Sequence, residues 1–397
     1  MIAGGSIPGA GEWLQARGLV PGSLGTRLRL AKDRKRPWAT PARRGHYDSG
    51  VQLPSRIQTV LTYHVEGDLE TPSAEVFAEV GAQVELADRL GYHAAWFAEH
   101  HFHVHRGHLP NPLLLALHLA GRTKEIHLGS AVITTALHDP LRLAEDLLTA
   151  DVLTGGRLSI GLGSGSSPSE FTAFGVPAED RDEARRHRRF AEGLDVMEQV
   201  WAAGPVRVQG EYVQVEAPPV LPRAVRPLSE LLWIASNSAS QAHVAGLRGY
   251  GIMLSRERGP GEMEQIVASY GAGRREAGLP PGGRVAASRP VYVGRTDGEA
   301  REEAALAVNL MVERQRRERP KFADLPPPVD FDDACARVQF VTGGPESVAQ
   351  TVRELHAHIP FSALHIQPRW VGLSPAQVQA SIGRFQEEVM PLAFGSS

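Results

Sequence analysis

The sequence has a single cysteine, Cys335, among its 397 residues. A disulfide within the chain is therefore excluded, as is a zinc site built on several thiolates. A reducing compartment, the cytoplasm, is the expected setting. Cys335 itself reads as a small helix residue rather than as a reactive thiol. Aromatic residues are sparse at 6%, and no apolar run approaches the roughly 20 residues that span a bilayer. An excess of one charge is also missing. With 42 Lys and Arg against 45 Asp and Glu the net charge is -3, which gives no broad attraction to nucleic acid or to an anionic membrane. What is present, 42% hydrophobic and 22% charged residues, is globular in composition and long enough for one large barrel or two ordinary domains.

Residues 1–56 differ from the rest. They are rich in Gly, Pro and Arg, with only Glu12 and Asp33 as acidic residues before Asp48, and no apolar period recurs. The segment lacks the apolar core of a secretory signal, although organellar transit peptides share its basic, acid-poor character. A disordered tail or an over-long start is expected, with the folded part running over 57–397.

From Ile57 the pattern becomes regular. Ile57 to Tyr63 reads as a strand. Thr71-Pro72 opens a helix whose apolar face is spaced by Val76, Val80, Val84 and Leu90. The unit then repeats. Strands are expected at Ala94 to Ala98, Ile126 to Thr134, Arg157 to Leu162, Leu231 to Ala235, Ile252 to Leu254, Val291 to Val293 and Ala363 to Ile366. Helices lie between them, including an Arg-rich one from Asp182 to Trp201 and a closing one from Ser374 to Met390. Eight alternating units over about 340 residues predict an α/β fold, a single (β/α)8 TIM barrel, with a doubly wound sheet as the alternative. Val206 to Val215 alternates around Gln209-Gly210 and reads as a β-hairpin insert. Arg316 to Asp333, charged and then Pro-rich, exceeds a routine connection; a mobile lid and a plain surface loop both fit.

In such a barrel the reactive groups collect at the C-terminal strand ends. The second strand runs into Glu99-His100-His101-Phe102, two imidazoles beside a carboxylate, suited to acid–base work near neutral pH. His103, His105 and His108 follow. A metal cluster is the competing reading, but the spacing matches no known zinc motif, and no metal is expected. The fourth strand enters the Gly-rich run 161–167, in which glycine lets the backbone approach a ligand. The fifth enters Ser236-Asn237-Ser238-Ala239-Ser240 and then a helix. That arrangement suits a phosphate and equally suits ordinary N-capping.

Together these stretches resemble the bacterial luciferase family of flavin monooxygenases. The resemblance covers Ile57 to about Pro391. It is strongest at Trp96-Phe97-Ala98-Glu99-His100-His101-Phe102 and continues through Asn111-Pro112, Gly121-Arg122-Thr123, Leu128-Gly129-Ser130-Ala131-Val132, His138-Asp139-Pro140, Leu143-Ala144-Glu145-Asp146 and Thr154-Gly155-Gly156-Arg157-Leu158. Glu170-Phe171, Phe174-Gly175, Leu254-Ser255 and Gly344-Pro345-Glu346 agree further on.

The resemblance implies roles. His100 would be the catalytic histidine, His101 its neighbour in the pocket, and Glu99 a group able to orient His100. Ala131-Val132 would be a non-prolyl cis peptide under the flavin ring. Ser164, Arg188, Asn237 and Ser238 would lie around the flavin phosphate. The family's light-emitting subunit has a phosphate-binding arginine where this chain has Ser164, and a cysteine where it has Gly163, which argues against light emission. The implied chemistry uses reduced flavin mononucleotide (FMN) and O2 to oxidise a small-molecule substrate through a C4a-peroxyflavin. One barrel leaves no room for a nicotinamide domain, so a flavin reductase, or diffusible reduced flavin, is the expected supply. A deazaflavin-dependent hydride transfer without O2 and a non-catalytic flavin-binding protein are the alternatives. A homodimer is compatible with all of these.

Overall fold

The computed structural model describes residues 57–67, 70–102, 108–256, 258–318 and 320–395, so the expected tail, and His103 and His105, lie outside the described residues. Eight parallel strands close into a barrel: β1 (Gln58–Tyr63), β2 (Ala94–Phe97), β3 (His127–Ser130), β5 (Leu158–Gly163), β8 (Leu232–Ser236), β9 (Gly251–Leu254), β10 (Val285–Val293) and β12 (Ala363–Gln367). Pairing of β12 with β1 on one side and of β9 with β10 on the other leaves no open edge. Two short strands join the same sheet: β4 (Ile133–Thr134) along β5, and β11 (Val341–Gly343) along the far end of β10.

Strand alternation sorts the apolar side chains into two layers. In β1, Val60 points inward to meet Ala94, Trp96, Trp233, Met253, Ala286 and Ala363, which fill the barrel. Leu61 and Tyr63 point outward to the surrounding helices. The helices begin on the residues the sequence offers as caps. Asn111 Oδ1 accepts the Leu113 and Leu114 N–H groups at 3.0 and 3.3 Å and opens the helix Pro112–Ala120. Asp139 opens Pro140–Leu153 and Asp182 opens Glu183–Trp201. The helix expected at Thr71-Pro72 instead starts at Ser73, with Pro72 in the cap position.

The expected hairpin is present as β6 (Val206–Gln209) paired antiparallel with β7 (Gln214–Ala217). Its turn is pinned by Glu192, whose carboxylate accepts the N–H groups of Glu211, Tyr212 and Val213 at 2.8–2.9 Å. Three expectations need correction. The strand read as Ile126 to Thr134 is interrupted at Ala131-Val132, whose peptide bond is cis. The strand read as Val291 to Val293 is only the end of the longer β10. Arg316 to Asp333 is largely helical: its first residues finish Asp297–Glu318, Pro320–Ala323 forms a turn of helix, and its last residues begin Phe331–Val338. Between these helices the chain is tied down by Arg337, which donates to the Pro326 carbonyl, and by Asp333, which accepts the Val329 N–H at 3.0 Å.

One buried histidine, His365, and one half-buried, His127, give the fold a pH dependence. Burial, reinforced by the Arg289 charge, pushes His365 down to about 3, and burial with Arg226 and Arg157 pushes His127 down to about 4, from an ordinary 6.5. Between pH 6.5 and those values the unfolded chain binds protons that the folded chain refuses. Stability should therefore fall on acidification from pH 6.5 toward 4, by up to about 1.4 kcal/mol per pH unit for each group. Urea midpoints at pH 7 and pH 5 should record the drop, and His365→Gln should make it shallower. A midpoint indifferent to pH over this range would contradict the assignment.

Candidate active site

The mouth of the barrel carries two histidine constellations. Glu99 follows β2 with its side chain only 1% exposed, and its two oxygens are fully engaged. Oε1 accepts from His101 Nε2 at 3.0 Å and from His138 Nε2 at 3.2 Å; Oε2 accepts from the Thr134 N–H and from His138 Nε2, both at 3.2 Å. Because a carboxylate only accepts, both imidazoles present an Nε2–H, which fixes their tautomer. The His101 backbone N–H donates to the buried Glu170 carboxylate at 3.1 Å, and its ring meets Phe174 edge-on at 4.7 Å. The helix Pro168–Ala173 is thereby tied to the end of β2. His138 is about one-third exposed and lines a groove of about 420 Å³ that it shares with Phe174, Arg189 and Tyr212.

His100 belongs to the other constellation. Its Nε2 lies 2.9 Å from His64 Nδ1, with the rings nearly parallel at 5.2 Å. His64 directly follows β1, so the pair bridges the ends of two adjacent strands. Glu99, expected to orient His100, bonds His101, His138 and the Thr134 N–H instead, and His64 bonds His100.

The end of β5 is tightly packed. A Cβ on Gly163 would stand 2.8 Å from Val132 Cγ2, and one on Gly165, at φ +81°, 2.7 Å from Thr134 Cγ2. Glycine alone lets Val132 and Thr134 pack this closely against the strand end. Ser164 follows, buried. Ser238 caps the helix Ala239–Leu247, its Oγ accepting the Gln241 N–H at 3.4 Å and lying 3.1 Å from Ser240 Oγ. The Asn237 N–H donates to Gln241 Oε1 at 3.1 Å, and Gln241 Nε2 meets His187 Nε2 at 2.8 Å. The Arg-rich helix thus reaches the Ser238 turn through His187. Its neighbour Arg188 is not brought there by any bond: that guanidinium is exposed, donates to the Tyr212 hydroxyl at 3.0 Å and pairs with Glu211 on the hairpin.

A closed barrel with imidazoles, a buried carboxylate and a glycine strand end gathered at its C-terminal face has the construction of a barrel enzyme. The chain belongs to the luciferase-like monooxygenase family, whose description matches residues 55–359. It is similar to the oxygenase component of the flavin-dependent trigonelline monooxygenase of Acinetobacter baylyi, 25% identical over 63% of this chain and 68% of that one. It is also similar to the F420-dependent glucose-6-phosphate dehydrogenase of Beutenbergia cavernae, 29% identical over 47% of this chain and 56% of that one. Among solved structures, the monooxygenase RslO1 of Streptomyces bottropensis superposes with a TM-score of 0.75 at 24% identity, over 84% of this chain and 99% of that one, a likeness of fold. Among the described residues no helix is long and apolar enough to cross a membrane.

Proposed function

We propose that the chain is the oxygenating component of a two-component flavin monooxygenase in the cytoplasm. It would receive reduced FMN from a partner reductase, or from solution, and oxidise a small organic substrate with O2. The observation that carries this reading is the close packing at the end of β5, where a Cβ on residue 163 would stand 2.8 Å from Val132 Cγ2, so that only glycine lets Val132 settle there; the flavin ring would lie on the Ala131-Val132 surface that this packing holds in place. Reduced FMN bound there would deliver two electrons to O2, with one oxygen atom entering the substrate and the other leaving as water. The phosphate would sit at the N-terminus of Ala239–Leu247, with Asn237, Ser238 and the Ser164 hydroxyl around it, held by N–H dipoles rather than by a guanidinium. His100 would hold and move the proton that oxygen chemistry requires, and His101, held by Glu99, would form the adjoining wall.

A deazaflavin-dependent hydride transfer is the second reading, favoured by the likeness to the Beutenbergia cavernae dehydrogenase. Mass spectrometry of the bound cofactor and incorporation of 18O2 into product separate the two. Label in the product with FMN bound supports the oxygenase; F420 bound with no oxygen uptake replaces it. Two variants test the placement of the cofactor. Gly163→Ala should weaken reduced-FMN binding by about tenfold, the scale of overpacking a tight contact. Arg188→Ala should change it by less than about threefold, since an exposed ion pair contributes under about 1 kcal/mol. The reverse order in an anaerobic titration would move the phosphate to the Arg-rich helix.

A further inference from the structure

None of the residues assigned to the flavin lines the groove beside His138, which lies between the start of the helix Pro140–Leu153, the segment after Phe174 and the hairpin. Four arginines stand early in the helix Glu183–Trp201. Three of them have partners. Arg185 pairs with Asp180 at 3.0 Å. Arg186 donates to the Arg181 carbonyl and lies over the Phe171 ring. Arg188 donates to Tyr212 and pairs with Glu211. Arg189 is half-buried, lines the groove, and makes no hydrogen bond or ion pair among the described residues.

His138 offers a second unsatisfied group. Its Nε2–H is committed to the two oxygens of Glu99, both at 3.2 Å, and Glu99 is covered. The exposed third of the ring therefore faces away from Glu99, on the groove side, and Nδ1 is the nitrogen left without a partner among the described residues. With the hydrogen on Nε2, Nδ1 of the neutral ring is an acceptor. Asp139, the carboxylate at the rim of the groove, is exposed, accepts the Arg142 N–H at 2.9 Å and does not pair with Arg189.

The two groups make different demands. A guanidinium only donates and is best met by an anionic oxygen, whereas Nδ1 needs a hydrogen. Between them the walls are apolar: Phe174, itself 47% exposed, with Tyr212, Val176 and Pro177. A flat ring suits such walls. The groove also connects with the barrel mouth. Glu99 Oε1 accepts from His138 and from His101 alike, and the His101 ring packs edge-on against Phe174.

We propose that this groove is an effector site for a small aromatic hydroxy acid, with its carboxylate on Arg189 and its hydroxyl donating to His138 Nδ1, and that its occupancy is felt at His101 through Glu99 and Phe174. The site stands apart from the flavin surface and does not rest on the oxygenase reading.

Calorimetric titration of the flavin-free chain with the isomeric hydroxybenzoates, at matched ionic strength in sodium chloride, tests the site independently of that reading. At least one isomer should bind about tenfold or more tighter than its amide, which lacks the charge, and about threefold or more tighter than benzoate, which lacks the hydroxyl. Arg189→Met should bring acid and amide level, at an unfolding midpoint close to the parent's, because Arg189 has no partner to lose. Arg189→Lys keeps the charge without the planar fork and should lose only part of the preference, which covers a methionine variant that fails to fold. The 15N signals of the His138 and His101 ring nitrogens should both move on binding in the parent and stay in place in Arg189→Met. Reduced-FMN affinity of Arg189→Met should remain within about threefold of the parent's. Acid and amide binding alike, benzoate matching every hydroxy acid, no binding by any isomer, or a preference that survives Arg189→Met would each overturn the proposal. A His101 ring that does not respond to binding would overturn the coupling to the barrel mouth. A tenfold loss of reduced-FMN affinity would overturn the site itself, by assigning Arg189 to the flavin phosphate.

Discussion

His100→Ala is expected to slow substrate oxidation by about two to four powers of ten, the usual contribution of a positioned proton-transfer group. Reduced-flavin affinity should change by less than about threefold, because the imidazole is assigned to the mouth of the barrel and not to the phosphate end. His100 stands just past β2 with Nε2 committed to His64 Nδ1 at 2.9 Å, so the two rings share one proton between those nitrogens. A proton arriving at His100 can be passed to His64 without either ring leaving its place. His64→Ala should therefore slow turnover as well, by about tenfold, through loss of the group that holds His100. Asn at position 100 retains some size and hydrogen bonding but does not titrate, and it should remain slow. Rapid mixing of the reduced-flavin complex with O2, following flavin absorbance and product together, measures this directly. If His100→Ala forms product at the parent rate, the imidazole only fills space beside the ring and the proton-handling role is lost.

The sequence exposes the parts of this site that are contiguous. Glu99, His100 and His101 are three successive residues at one strand end, and the strand was readable from the run Ala94 to Ala98. Their partners are hidden by distance along the chain: His64 lies 36 residues before His100, and His138 lies 39 residues after Glu99. Both could have been found by one rule. His64 follows the strand read as Ile57 to Tyr63, and His138 lies four residues past the strand read as Ile126 to Thr134. Every strand end of a barrel faces the same mouth. Arg188 illustrates the opposite case. Helical spacing places it beside His187, but one residue turns a side chain by about 100°, and the hairpin that occupies Arg188 is an insert whose docking no local pattern encodes. The helices across Arg316 to Asp333 were masked by Pro326, Pro327 and Pro328, which read as a long loop although the proline run spans only the short connection between helices. The short β11 was missed because three residues are too few for a period to register.

The second large effect is expected at Glu99. Glu99→Gln should lower turnover by about two to three powers of ten, although Glu99 is expected to touch neither flavin nor substrate. An amide accepts on one atom only. The other atom becomes an NH2, which faces donors: the Thr134 N–H at 3.2 Å and, in either orientation, the Nε2–H of at least one imidazole. The conflict is relieved only if His101 or His138 changes tautomer or swings away, and a swing of His101 would also shift the Phe174 ring packed on it. Glu99→Ala removes the acceptor altogether and leaves three buried or half-buried donors unpaired. It should also lower stability, by about 3 kcal/mol or more, the scale of breaking a buried charged network. Glu99→Asp keeps the carboxylate on a shorter arm and should recover part of the activity that glutamine loses. The measurement that separates positioning from simple damage is the 15N spectrum of the histidine ring nitrogens in the flavin-free protein. Parent and Asp variant should show His101 and His138 as Nε2–H tautomers, while the Gln variant should show at least one of them changed at an unfolding midpoint close to the parent's. A Gln variant with both tautomers intact and full turnover would remove Glu99 from the working parts of the site and leave it a buried tie between β2 and the loop that follows β4.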